Sequence, residues 1–145
     1  MHKRKVIVKA STISLKILQK LVKQRVAYLN ELLELDENWI SGKSETPNTY
    51  AVEMMIAFTT GLLKINPLAQ SWHIDSKMLM SPLPTGGVSI EVQHNDFSVS
   101  LNIFNTGDIE VEYEKRGHYN ELGNLTQENF LQGTNDLICS LIQSV

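Results

Sequence analysis

Three glutamates, Glu110, Glu112 and Glu114, recur at every second position. Successive strand side chains point to opposite faces, so this spacing sets all three carboxylates on one face at intervals of about 7 Å. Glu91 falls in the polar set of a neighbouring segment with the same alternation. Grouped carboxylates can hold a divalent ion or perform acid and base chemistry, provided that a concave site shifts their proton affinity. An open sheet face supplies no such concavity, and there the same residues form a solvated patch or a contact for a protein partner.

A second set is basic. Lys16, Lys20 and Lys23 line one face of an expected helix, while Arg25 falls in the middle of its apolar face. An isolated buried guanidinium costs several kcal/mol, so Arg25 must be paired, snorkel along its stem, or face a partner. With Lys3, Arg4, Lys5 and Lys9, these residues give positions 1–30 a charge of +8. The five basic and sixteen acidic residues that follow leave −11. A basic front on an acidic body can meet nucleic acid, an acidic partner or another copy, or can balance charge within the monomer. Paired stacking aromatics and a short helix-turn-helix are both lacking, so nucleic-acid binding by these charges would be weak, salt-sensitive and nonspecific.

The remaining motifs carry little chemistry. Gly42-Lys43-Ser44 ends like a phosphate-binding loop, but Glu37 stands where the earlier glycine is needed and a helix precedes it. Gly86-Gly87 lacks dinucleotide-binding spacing and reads as a turn entering a strand. The histidines at 2, 73, 94 and 118 have no metal-ligand spacing and read as surface or core residues. Cys139 is the only cysteine, excludes an intramolecular disulfide, and falls across the wheel from the apolar stripe of the last helix. No cofactor, metal or catalytic residue is implied. Asn124-Leu125-Thr126 matches a glycosylation acceptor, without consequence in an unexported chain.

The elements that position these residues follow from periodicity. Val6 to Ala10 reads as a short edge strand, and Ser11 or Thr12 as the cap of a helix running to about Leu35. Its apolar face comprises Ile17, Leu18, Leu21, Val22, Tyr28, Leu29, Leu32 and Leu33. Thr46-Pro47 starts a second helix, apolar over more than half its circumference, that Asn66-Pro67 closes. That belt is either covered within the monomer or forms a homodimer interface. Lys77 to Met80 opens an antiparallel meander. Val88, Ile90 and Val92, then Phe97, Val99, Leu101 and Ile103, then Ile109, Val111 and Tyr113 alternate with polar residues across turns at Asn95-Asp96 and Asn105-Asp108. Gly117 to Asn124 reads as a loop, and Thr126 as the cap of a last helix with Phe130, Leu131, Leu137, Ile138, Leu141 and Ile142 in one stripe.

The expected fold is therefore α+β: two N-terminal helices and one C-terminal helix on one face of a four-stranded antiparallel meander. With 145 residues, 42% of them hydrophobic, the chain fits one domain with a sizeable core. Its apolar runs are too short for an export signal or a bilayer span, which makes a soluble protein of the reducing cytoplasm the expectation.

Asn38, Trp39, Pro47, Pro82, Pro84, Gly86, Gly87, Glu91, Gly107 and Tyr113 follow a recurrent order. On these residues the stretch from about Leu32 to Tyr113 resembles a group of uncharacterised small bacterial proteins. Their pattern runs from Asn-Trp-Asp-Gly through a Pro-led helix to Pro-Thr-Pro-Asp-Gly-Gly, a strand ending in Glu-Trp, and a Gly-turn strand ending in Tyr. Ile40, Ser41, Thr85 and Val92 depart from it. The resemblance implies helices followed by a meander and an accessory protein of a mobile or defence-related locus, without a biochemical role. The leading functional expectation is a non-enzymatic protein-binding module using the acidic strand face or the basic helix. An auxiliary nucleic-acid binder and a small enzyme with a site between the second helix and the sheet are the alternatives.

Overall fold

The computed structural model describes residues 10–35, 45–123 and 125–143. The proposed Val6 to Ala10 strand lies largely outside them, as do Asn38 and Trp39. Helix α1 spans Ala10–Leu32 and α2 Thr49–Gly61, continued by a tight 3-10 turn at Leu62–Lys64; a short α3 covers Asn66–Ser71. Strands β1 (Lys77–Pro82), β2 (Gly87–His94), β3 (Phe97–Phe104), β4 (Ile109–Lys115) and β5 (His118–Leu122) follow, and α4 spans Phe130–Gln143.

The strands form one antiparallel sheet in the order β1-β2-β3-β4-β5. The fold is α+β with an antiparallel meander, but five strands replace the expected four. The extra strand is His118–Leu122, which polarity made read as loop. All but Leu122 are exposed, so no apolar alternation marks this edge. What creates it is the preceding turn: Arg116 (φ 53°) and Gly117 (φ 82°) are both left-handed, the requirement of a two-residue hairpin turn. The residues expected to point inward on β2 and β3 are buried, and Val111 with them, while Ile109 and Tyr113 on β4 are half-buried.

Several helix boundaries differ from the sequence reading. Ser11 and Thr12 lie inside α1, which ends at Leu32; Leu33 is 42% exposed in the turn beyond. Asn48, not Thr46, caps α2, its Oδ1 accepting the Ala51 N–H at 2.9 Å. The helical run ends at Lys64, just before Asn66-Pro67 as expected, and the same pair opens α3, because a proline in the first turn of a helix needs no amide partner. At α4, Thr126 donates its N–H to Asn129 Oδ1 at 2.6 Å and the helix starts at Phe130.

The α2 residues Ala51, Val52, Met55 and Phe58 meet Val88, Ile90, Leu101 and Ile103 in the core. These residues of the α2 belt and Leu62 are covered within the monomer, while Met54, Ile56 and Leu63 are half-buried. Helix α2 lies over β2 and β3 and α4 over β4, while α1 packs against α2 and α3 and reaches the sheet at β1. The core is built around Trp72, Phe58 and Phe130, each contributing roughly 1.5–3 kcal/mol on burial. Cys139 is half-buried and packs against this core, correcting its expected outward position.

Candidate functional site

The face of the sheet away from the core is where the glutamates converge. Strand register places Glu91, Ser100, Glu112 and Glu121 in one row across β2 to β5, with Glu110 and Glu114 in the flanking rows. The sequence reading found Glu110, Glu112 and Glu114 but missed Glu121, because it lies on the strand taken for a loop. Glu110, Glu114 and Glu121 are exposed, and Glu91 and Glu112 half-buried.

Glu91 is held by its neighbours. Gln93 Nε2 donates to its Oε2 at 2.6 Å and the Ser100 hydroxyl reaches its Oε1 at 3.5 Å. Glu112 and Glu121 are directly opposite, a like-charge pair that opposes strand pairing. Tyr119 relieves it: hydrogen bonding to Glu112, then desolvation and the charges of Glu112 and Glu121, push its phenol up to about 12. The phenol therefore keeps its proton well above neutral pH. A shallow depression of about 150 Å³ lies among Glu91, Ser98, Ser100, Glu112, Glu114 and Tyr119. Among the described residues no lysine or arginine forms an ion pair with Glu110, Glu112, Glu114 or Glu121, and no group has the arrangement of a metal site.

The basic candidates separate into two. Lys16, Lys20 and Lys23 are exposed along α1. Arg25 is half-buried and turned inward, its Nε donating to the Met78 carbonyl at 2.8 Å. It belongs to the junction between α1 and β1, not to the lysine stripe.

One polar cluster escaped the sequence reading. His94 is 1% exposed, stacked on Trp72 with centroids 5.6 Å apart and edge-on to Phe97. Its Nε2 lies 2.9 Å from Ser71 Oγ and its Nδ1 2.7 Å from Ser76 Oγ. Ser71 donates its hydroxyl proton to the Pro67 carbonyl at 2.6 Å, so it must accept from Nε2–H. Ser76 accepts the His73 N–H at 3.2 Å and donates to Nδ1. The network therefore assigns a neutral ring carrying its proton on Nε2. Burial, aided by the nearby His73, lowers its pKa to about 4. A serine beside a histidine suggests a nucleophile and base, yet here the serine proton points away from the imidazole. The cluster ties α3 to β2. Its sequence signal is that His94 continues the inward series of Val88, Ile90 and Val92.

The space between α2 and the sheet is apolar core; of the buried hydroxyls of α2, that of Thr59 returns to the Met55 carbonyl at 2.7 Å, and that of Tyr50 has no hydrogen-bond partner among the described residues. Among the described residues no helix is long and apolar enough to cross a membrane. Comparisons with family models, curated proteins and solved structures find no match for this chain.

Proposed function

We propose that this protein is a non-enzymatic protein interaction module whose contact surface is the acidic face of the sheet. The observation that carries this reading is the set of Glu110, Glu112, Glu114 and Glu121 on one side of the sheet without a basic counterion among the described residues. Such a face attracts a basic protein segment over a distance of about the Debye length, roughly 8 Å at physiological ionic strength. The partner is therefore a protein with clustered lysine or arginine, and association weakens as salt rises. The test is a pull-down from the native host, with and without nuclease, using the chain and its Glu110→Lys, Glu112→Lys, Glu114→Lys triple variant. Loss of a nuclease-resistant partner in the variant supports the reading, and its retention removes the sheet face from the contact.

A second reading follows from the exposure of Lys16, Lys20 and Lys23 on α1. These lysines are suited to phosphate backbones, giving a nonspecific auxiliary contact with nucleic acid. A mobility shift at low salt that disappears when all three become glutamate supports it. No shift by the intact folded chain ends it.

A further inference from the structure

The two edges of the sheet differ in how their backbone groups are satisfied. His94 and Phe97 flank a two-residue loop, as do Lys115 and His118, so each pair exchanges both of its hydrogen bonds. Strict alternation then orients the remaining strand residues. From His94 it turns Glu91 and Gln93 toward β1, and it leaves Met78, Met80 and Pro82 facing outward. Arg25 occupies the outward Met78 carbonyl at 2.8 Å, and Pro82 has no N–H to present. Proline and a covering helix are two devices that block strand addition.

The β5 edge has neither. Alternation from His118 points the N–H and C=O groups of Tyr119 and Glu121 away from β4. Among the described residues no backbone partner reaches them, and His118, Tyr119, Asn120 and Glu121 are all exposed.

We propose that this edge is a homodimer interface in which β5 pairs antiparallel with β5 of a second copy about a two-fold axis normal to the sheet. Self-complementarity identifies the occupant. Residues opposed in a continuous sheet share a face, so their positions differ by an even number. A register centred on Asn120 pairs all five residues of the strand. It sets Tyr119 opposite the partner's Glu121, and both present outward amides, so they exchange backbone hydrogen bonds. Shifting the centre to Glu121 would face carboxylate against carboxylate and leave Tyr119 unpaired. The Asn120 register instead interposes a phenol between the acidic rows of the two copies. The contact is isologous and closes on itself, while Arg25 and Pro82 disfavour further strand addition at the β1 edge.

The test uses the full chain, by sedimentation equilibrium from micromolar to millimolar concentration together with amide hydrogen exchange. A concentration-dependent dimer is expected, with exchange of the Tyr119 and Glu121 amides slowing as it forms. Tyr119→Glu places carboxylates opposite each other and is expected to weaken dimerisation about tenfold. Adding Glu121→Arg to that variant is expected to restore it. A chain monomeric throughout, a dimer whose Tyr119 and Glu121 amides stay unprotected, or a dimer indifferent to Tyr119→Glu overturns the proposal. Should the variants fail to fold, exchange in the unsubstituted chain decides it alone.

Discussion

Asn48 donates two hydrogen bonds to Asn105 across the molecule. The Asn48 N–H donates to Asn105 Oδ1 at 2.8 Å, and Asn48 Nδ2 donates to the Asn105 carbonyl at 3.1 Å. Asn105 Nδ2 also donates to the Thr46 carbonyl at 2.9 Å. The turn between β3 and β4 thereby fixes the residue that caps α2. Asn105→Ala removes both side-chain bonds and is expected to destabilise the fold by about 1–2 kcal/mol, read from the urea midpoint at unchanged slope.

The buried His94 makes stability depend on pH. Its folded pKa of about 4 lies below the ordinary value of 6.5, so the unfolded chain takes up the proton first. The stabilisation is complete above about pH 6.5 and is lost as pH falls from there toward 4. The loss amounts to at most about 3 kcal/mol. Denaturation curves through this window are expected to show the decline, and His94→Gln to flatten it at the expense of stability at pH 7.

Gly87 (φ +134°) lies against β3, where an added Cβ would collide with the Ile103 carbonyl oxygen and stand 2.8 Å from Phe104 Cα. Gly117 (φ +82°) has open space around it. Gly87→Ala is expected to cost more than about 3 kcal/mol, because backbone must move, and Gly117→Ala about 1 kcal/mol from conformation alone. Thermal unfolding of the two variants side by side checks the ranking.

Much of this architecture is legible in the sequence because apolar alternation records burial. Val88 to Val92 and Phe97 to Ile103 declare their strands, and Gly107 (φ +98°) marks the turn after them. Strand β5 and Glu121 are silent for the same reason, since an exposed edge imposes no apolar pattern. Arg25 was legible as a residue needing a partner, but the Met78 carbonyl lies 53 positions away and only the tertiary fold names it. The amide pair of Asn48 and Asn105 is likewise invisible, because asparagine suits turns and caps without regard to what it reaches.

Tyr119 offers a spectroscopic check on the acidic face. Its phenol, raised to about 12, is expected to ionise nearer its ordinary value of 10 when Glu112→Gln takes the negative charge from its leading hydrogen-bond acceptor. The raised value contributes stability below pH 10 that is lost as pH climbs through 12. Tyrosinate absorbance against pH in both proteins measures the change, and coincident curves would detach Tyr119 from Glu112.

Every strand of the sheet pairs with its neighbour in sequence. Each pairing therefore closes a short loop, so the sheet can assemble hairpin by hairpin at little entropic cost before distant segments meet. The N-terminal helices are the exception, since the anchor of α1 on β1 spans 53 positions and that of the α2 cap on Asn105 spans 57. The kinetic order that results is a sheet formed early and the two N-terminal helices docked later, with Arg25 and Asn48 as reporters of that step.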